Sequence, residues 1–361
     1  MKNKTLCFLF GGILLVISCL CLFLPKPDFS ESERRVLAKF PDISAENIFS
    51  GNFASGFEEY TTDTFPFRDF FRTIKAYASK YIFGLSDNND LFLKDGHLGK
   101  IDYPQNEESL KNASEHFSSI YDKYIKDTNS KTYLSIIPDK SYFIDNILKL
   151  DYNKLVTFMT ENMAYAEYID IFPYLSLNDY YTTDSHWRQE NISDVAFALS
   201  DKMGVDNRFG HSIFPLGEFR GVYFGQSAMK VSPDKINAIH SPFFDKYKVT
   251  SYDSGKPEDA VLLDFEKFNG RDPYDVFLSG GNALMTIENP YATEPERELI
   301  LFRDSFGSSI AHYFLRAYSK VTLIDIRYIN SSMLGNFVDF ENSDILFLYS
   351  SSLLNSSFGF K

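Results

Sequence analysis

Three short runs with no polar interruption, Leu299–Phe302, Val321–Ile326 and Ile345–Tyr349, constrain this chain more than any other feature. A strand with one face in water alternates apolar and polar residues, so a strand that is apolar throughout must be covered on both faces. Helical stretches lie between these runs, and that alternation predicts an α/β domain with a mostly parallel central sheet between two helical layers. Upstream, Thr132–Ile137 reads as a buried strand halted by Pro138, and Tyr168–Phe172 as a short strand. Helical spacing marks Glu107–Lys126, Leu155–Tyr168 and Trp187–Met203, the last closing at Gly204 as a C-terminal cap. Asn52–Tyr60 and Arg68–Phe83 carry aromatics at helical spacing on either side of Thr64-Phe65-Pro66, where a helix must break. Asp95-Gly96 inside Leu91–Ile101 signals a hairpin, and residues 205–298 read as loops and hairpins around the functional face.

The other strong constraint is Leu6–Leu24, nineteen residues without a charge, preceded by Lys2 and Lys4 and ended by Pro25-Lys26-Pro27. As a helix this run nearly crosses a hydrocarbon core of about 30 Å. A retained signal-anchor is expected, since no small-x-small cleavage site precedes Pro25. The competing readings are a cleaved signal and a lipoprotein signal, in which Val16-Ile17-Ser18 would precede a lipidated Cys19. Lysines before the span place the N-terminus in the cytoplasm and the body outside the cell membrane. The division expected is a transmembrane anchor at 1–24, a tether and docking segment at 25–50, and one α/β domain at 51–361.

With 44% hydrophobic and 17% aromatic residues, the body has the material for a large core and is not a disordered chain. A net charge of −13 opposes binding to nucleic acid. All three cysteines, Cys7, Cys19 and Cys21, fall in the N-terminal run, so the body has neither disulfide nor thiol nucleophile nor thiolate metal site. A body of that kind fits an exported domain of a Gram-positive bacterium.

Chemistry concentrates in two places. Leu299–Phe302 runs through Arg303-Asp304 into Ser305 and then a helix extending to about Tyr318, which puts a serine at the carboxyl end of a strand and the start of a helix. Ligands of open α/β sheets bind there. Two readings remain open: Asp304 or Ser305 caps the helix, or Ser305 is a nucleophile. A nucleophile needs a base, and of the six histidines His186 is set apart by Asp184-Ser185-His186-Trp187, which includes the only tryptophan. In an extended segment residues two apart face the same way, so the Asp184 carboxylate can meet the His186 ring; the alternative is that Asp184 caps the next helix. Metal binding by Asp184 and His186 would need a third ligand that no spacing supplies, and no cofactor is implied.

These segments also resemble a known family. Asp184-Ser185-His186-Trp187, the strand leading to Ser305, Glu31–Ala38 with Phe40-Pro41, Asp63–Arg68, and Val276–Asn282 occur in the order of the bacterial DHHW family. That family is related to the alginate O-acetyltransferases of the AlgJ and AlgX kind, with an SGNH-hydrolase-like three-layer fold. The resemblance implies a triad of Ser305, His186 and Asp184, and a place for Gly281 and Asn282 near an oxyanion hole. Ser185 stands where the name-giving motif has its first histidine, and Ser279 is an extra residue before Gly280-Gly281-Asn282. The function implied is O-acetylation of a cell-surface or secreted polysaccharide through a serine ester. An acetyl donor outside the membrane would have to come from a multi-span membrane O-acyltransferase. The competing functions are a carbohydrate acetylesterase with the same triad and a non-catalytic polysaccharide-binding or assembly protein. Tyr180, Tyr181 and Trp187 are candidates for a platform stacking on a sugar ring, or for packing the loop onto the core.

Overall fold

The computed structural model describes residues 2–361. The chain divides into two compact units, one comprising the residues up to Asn89 with Phe224–Val231, the other Asp90–Tyr223 with Ser232–Lys361. Residues 51–89, expected to be part of the α/β domain, therefore belong to the N-terminal unit.

In that first unit helix α1 (Lys2–Phe23) contains a candidate membrane span, Lys4–Phe23, with mean hydropathy 2.8 and none of its apolar window buried. Helices α2 (Asn52–Asp63) and α3 (Arg68–Tyr77) follow, broken at Thr64-Phe65-Pro66 as expected, and α3 runs on through a π turn over Ala78–Ile82. Asp63 accepts both terminal nitrogens of Arg35, at 2.8 and 2.5 Å, and the Ala38 N–H at 2.9 Å. Glu33 pairs with Arg68 and, at 3.4 Å, with Arg72. The Glu31–Ala38 and Asp63–Arg68 segments are thus charge-locked to one another inside this unit.

The second unit is built on an eight-stranded sheet. Its strands are β1 (Lys131–Ile137), β2 (Glu167–Tyr168), β3 (Lys248–Ser251), β4 (Glu258–Ala260), β5 (Leu284–Glu288), β6 (Glu294–Arg303), β7 (Tyr318–Ile324) and β8 (Ser343–Ser350). They lie in the order β4-β3-β5-β7-β6-β8-β1-β2. The pairs β7/β6, β6/β8, β8/β1 and β1/β2 are parallel, whereas β5, β3 and β4 continue the sheet antiparallel beyond β7. The antiparallel edge comes from the stretch expected to be loops and hairpins; its strands of three to five residues are too short to show a period.

Alternation along the central strands divides the core in two. Leu299, Leu301, Leu323, Leu346 and Leu348 point into one apolar layer with helices α6 (Ser193–Met203) and α7 (Phe306–Phe314). Ile300, Phe302, Ile345 and Phe347 point into the other, against α4 (Glu107–Ile120) and α5 (Tyr152–Asn162). This is the three-layer arrangement expected from apolar runs with two covered faces. Three helices differ in extent from their sequence patterns, and the first is α5, which covers Tyr152–Asn162 where Leu155–Tyr168 was expected because β2 takes Glu167–Tyr168. α6 starts at Ser193 instead of Trp187, because Trp187 pairs back with Tyr180 in an antiparallel bridge. α7 ends at Phe314 rather than near Tyr318, where β7 already begins.

Candidate active site

β6 delivers the chain to Arg303, and α7 opens at Phe306, so Asp304 and Ser305 form the turn between them. The capping role falls to Asp304: its Oδ1 accepts the Phe306 N–H at 3.0 Å and its Oδ2 the Ser350 N–H from the end of β8 at 2.9 Å. Ser305 makes no side-chain cap. Its Oγ lies instead 2.7 Å from His186 Nε2. His186 Nδ1 is 2.6 Å from Asp184 Oδ1, and the same carboxylate oxygen accepts the His186 backbone N–H at 3.1 Å. Asp184, His186 and Ser305 therefore form one hydrogen-bonded line.

The local geometry of Asp184 and His186 differs from the extended segment expected. Tyr180 and Trp187 bridge antiparallel, Tyr181 N–H donates to the His186 carbonyl at 3.0 Å, and Asp184 sits at the tip of the loop so closed. A carboxylate bonded to the N–H two residues on is an Asx turn. That turn brings the Asp184 carboxylate to the ring, and Asp184 does not cap α6, the next helix, whose N-cap position is Ile192.

The loop is braced from outside. Asp234 accepts the Thr182 and Thr183 N–H groups at 2.8 and 2.7 Å, the Thr183 hydroxyl at 2.6 Å, and an Arg188 Nη2–H at 2.7 Å. The buried Lys140 ammonium donates to the carbonyls of Tyr181 (2.9 Å), Thr182 (3.4 Å) and Leu98. From α7, one helical turn beyond Ser305, Ser309 Oγ accepts the Trp187 indole N–H and the Tyr274 hydroxyl, each at 2.8 Å. None of Asp234, Lys140, Tyr274 and Ser309 was singled out by sequence, since each meets the loop only through the tertiary fold.

Electrostatics follow from these contacts. Burial opposes a charge on His186, but Asp184, with smaller contributions from Asp272 and Asp304, outweighs it and raises the imidazole above its ordinary 6.5. Burial also works against the Asp184 carboxylate. The His186 charge and the donors from His186 and Val222 win there, and hold Asp184 well below the ordinary 3.8. Burial lowers Lys140 to about 7.

Ser305 opens into a cavity of about 240 Å³ lined by polar groups, among them Lys100, Asp102, Tyr223, Arg327 and Ser352. Gly281 and Asn282 do not line it. The Asn282 amide is committed to the carbonyls of Leu278, at 2.6 Å, and Gly280, at 3.4 Å, which leaves that side chain no N–H for an oxyanion. Tyr180, Tyr181 and Trp187 are fully buried, so no ring face is open to a sugar. Of the two readings of these rings, packing the loop onto the core is the one that the structure supports.

The second unit is thus a three-layer α/β domain carrying a serine, a histidine and an aspartate in hydrogen-bonded line at the carboxyl end of its sheet. The same fold occurs in a DHHW family protein from Eubacterium siraeum, 16% identical with a TM-score of 0.56, the match covering 74% of this chain and 94% of that one. It occurs also in Bacillus cereus PatB1, 14% identical with a TM-score of 0.57 and covering 74% of this chain and 97% of that one. PatB1 has a further structure with a sulfonyl adduct, which matches at 15% identity and a TM-score of 0.58 over the same shares of the two chains. No family model matches the sequence, and no curated protein matches it. At these identities the likeness is one of fold.

Proposed function

We propose that the protein is a membrane-anchored acyltransferase that O-acetylates a cell-surface or secreted polysaccharide through a serine ester at Ser305. The observation that carries this reading is the unbroken line from Asp184 to His186 to Ser305, with Ser305 released from helix capping by Asp304. His186 Nε2 takes the Ser305 proton as Oγ attacks the acetyl carbonyl, and Asp184 stabilises the imidazolium that forms. The tetrahedral oxyanion is held by the Ser305 N–H at the start of α7, where the helix dipole favours negative charge. His186 then returns the proton to the departing donor oxygen, leaving acetyl-Ser305. In the second half a sugar hydroxyl gives its proton to His186 and attacks the ester carbonyl, and His186 passes that proton to Ser305 Oγ as the ester bond breaks and the acetylated sugar leaves. The polar lining of the cavity suits a hydroxyl-rich acceptor. A multi-span membrane O-acyltransferase is the donor this reading requires, with Lys4–Phe23 as a single-pass anchor and the domain outside the cell. An acetylesterase differs only in admitting water at the second half.

The test is to incubate the full-length protein with an activated acetyl ester and an oligosaccharide, and to follow acetyl-Ser305 and the acetylated sugar by mass spectrometry. The expected result is acetyl on Ser305 that passes to the sugar, with both lost in Ser305→Ala. Acetate without acetylated sugar would establish the esterase. Failure to label Ser305 with either the ester or a sulfonyl fluoride would mean a non-catalytic protein.

A further inference from the structure

Helix α3 and its π turn carry their apolar side outward. Phe70, Phe71, Ile74, Tyr77, Tyr81 and Ile82 are between 38% and 76% exposed. The side facing the rest of the unit holds Arg72, Ala76 and Ser79, with Ala76 and Ser79 buried and Arg72 donating to the Gly225 and Gln226 carbonyls at 3.0 and 2.8 Å. A helix in water buries its apolar stripe, because the hydrophobic effect outweighs the alternatives. This one buries its polar stripe and leaves an aromatic face to whatever lies outside.

The end of α1 indicates what lies there. A cavity of about 340 Å³ is lined by Cys21 and Lys26 on one side and by Tyr60, Thr61, Thr62, Thr64 and Phe65 on the other. Lys26 Nζ also donates to the Tyr60 hydroxyl at 2.5 Å. The point where the chain leaves its apolar span thus touches the segment that leads into α3 at Arg68. On the anchor reading of Lys4–Phe23, α3 begins at the level of the membrane boundary. Its composition fits that level: Phe and Tyr are side chains of the bilayer interface, and Arg68–Phe83 holds Arg68, Arg72, Lys75 and Lys80 against Asp69 alone.

We infer that α3 and its π turn lie in the outer interface of the membrane, with this aromatic face among the lipid headgroups and upper acyl chains. The inference rests on the anchor reading of Lys4–Phe23 and is independent of the acyl-transfer chemistry. It makes the first unit a platform held to the bilayer at two points rather than a body on a single flexible tether.

The test places the full-length chain in vesicles of phosphatidylcholine and phosphatidylglycerol that contain a lipid with a diazirine on its acyl chain, followed by photolysis and peptide mapping. Adducts are expected on the peptides covering 4–23 and 67–83, with none on Glu107–Ile120. Phe70→Glu, Ile74→Glu and Tyr81→Glu together should abolish the adducts on 67–83 and keep those on 4–23, with unchanged hydrogen exchange in Asn52–Asp63 of the same unit showing that the variant folds. Adducts confined to 4–23 in the unmodified chain would overturn the inference, whether 67–83 then proved open to a water-soluble carbene or shielded by a protein partner or second copy. Adducts on neither segment would overturn the anchor reading and the inference together, while leaving the acetyl-transfer assay to decide the chemistry separately.

Discussion

The ring of Tyr274 lies flat on the imidazole of His186, with centroids 3.8 Å apart and planes 7° from parallel. Its hydroxyl donates to Ser309 Oγ at 2.8 Å, so the residue that sets the plane of the base is tied to the helix that begins beside Ser305. Asp184 fixes the rotation of the imidazole and Tyr274 its tilt. Tyr274 is a positioning residue. Tyr274→Leu removes the flat face and should lower kcat for acetyl-ester turnover by about 10², the scale of a misplacement of about 1 Å, with KM little changed. Tyr274→Phe keeps the face and loses one hydrogen bond, which is worth about 0.5–1.5 kcal/mol, or about 2–10-fold. Equal losses in the two variants, or losses confined to KM, would assign Tyr274 to packing alone.

The pH dependence follows from the raised pKa of His186. The base acts when neutral, so kcat/KM should rise with pH through a midpoint above 6.5. In Asp184→Asn the burial that opposes charge on the ring is left in control, so the midpoint should move down while the plateau falls by about 10⁴. The same charge pair links to stability. A base whose folded pKa is raised contributes stability that is fully present below the unfolded value near 6.5 and fades as pH rises through the folded value. Part of the denaturant midpoint should therefore be lost as pH rises above 6.5 in the wild type and not in Asp184→Asn. A pH–rate profile that is unchanged in Asp184→Asn would disprove the electrostatic role given to Asp184.

Much of this site was legible in the sequence because it is local. Leu299–Phe302 had to be a central strand, and Ser305 had to follow it at the strand end where α/β sheets bind ligands. Asp184 and His186 are two residues apart, close enough for a short-range turn to join them. What sequence could not show was the direction of the neighbouring rings. An aromatic beside a candidate catalytic histidine looks the same whether it faces substrate or core, and Tyr180 and Trp187 face inward because they bridge each other across the base of the loop. Asp234, Lys140 and Tyr274 reach the site from distant parts of the chain. They carry no pattern of their own, so only the fold reveals them. The edge strands β3, β4 and β5 were hidden for a related reason, since a strand of three to five residues is shorter than the window in which a period can be read.

Gly221 tests how closely the carboxylate is fitted. A Cβ at residue 221 would lie 2.3 Å from Asp184 Cβ and 2.5 Å from its Oδ2. The glycine lets the backbone approach, so that Val222 N–H reaches Asp184 Oδ2 at 3.0 Å and the Gly221 N–H reaches Thr183 Oγ1 at 2.8 Å. Gly221→Ala must push the two segments apart. A stability loss of about 1–3 kcal/mol is expected from overpacking. Activity should drop by about 10² as Asp184 shifts from the ring. Thermal unfolding and ester turnover measured on one preparation check both, and wild-type turnover in the alanine variant would show that Asp184 does not depend on this approach.

Asp234 gives the clearest separation between holding the loop and doing the chemistry. Its carboxylate is almost fully buried and collects four donors, three of them from Thr182 and Thr183, immediately before Asp184. Asp234→Ala would leave those donors and the Arg188 guanidinium without their acceptor. Removing one member of such a buried pair costs about 3–5 kcal/mol. The denaturant midpoint should fall accordingly, and turnover should fall with it as the loop loosens. Arg188→Ala/Asp234→Ala should be less damaging than the sum of the single variants, because the charge left unpaired by one is removed by the other. Strict additivity in that cycle would show that Arg188 and Asp234 act independently, and would leave Lys140, through the carbonyls of Leu98, Tyr181 and Thr182, as the principal brace of the loop.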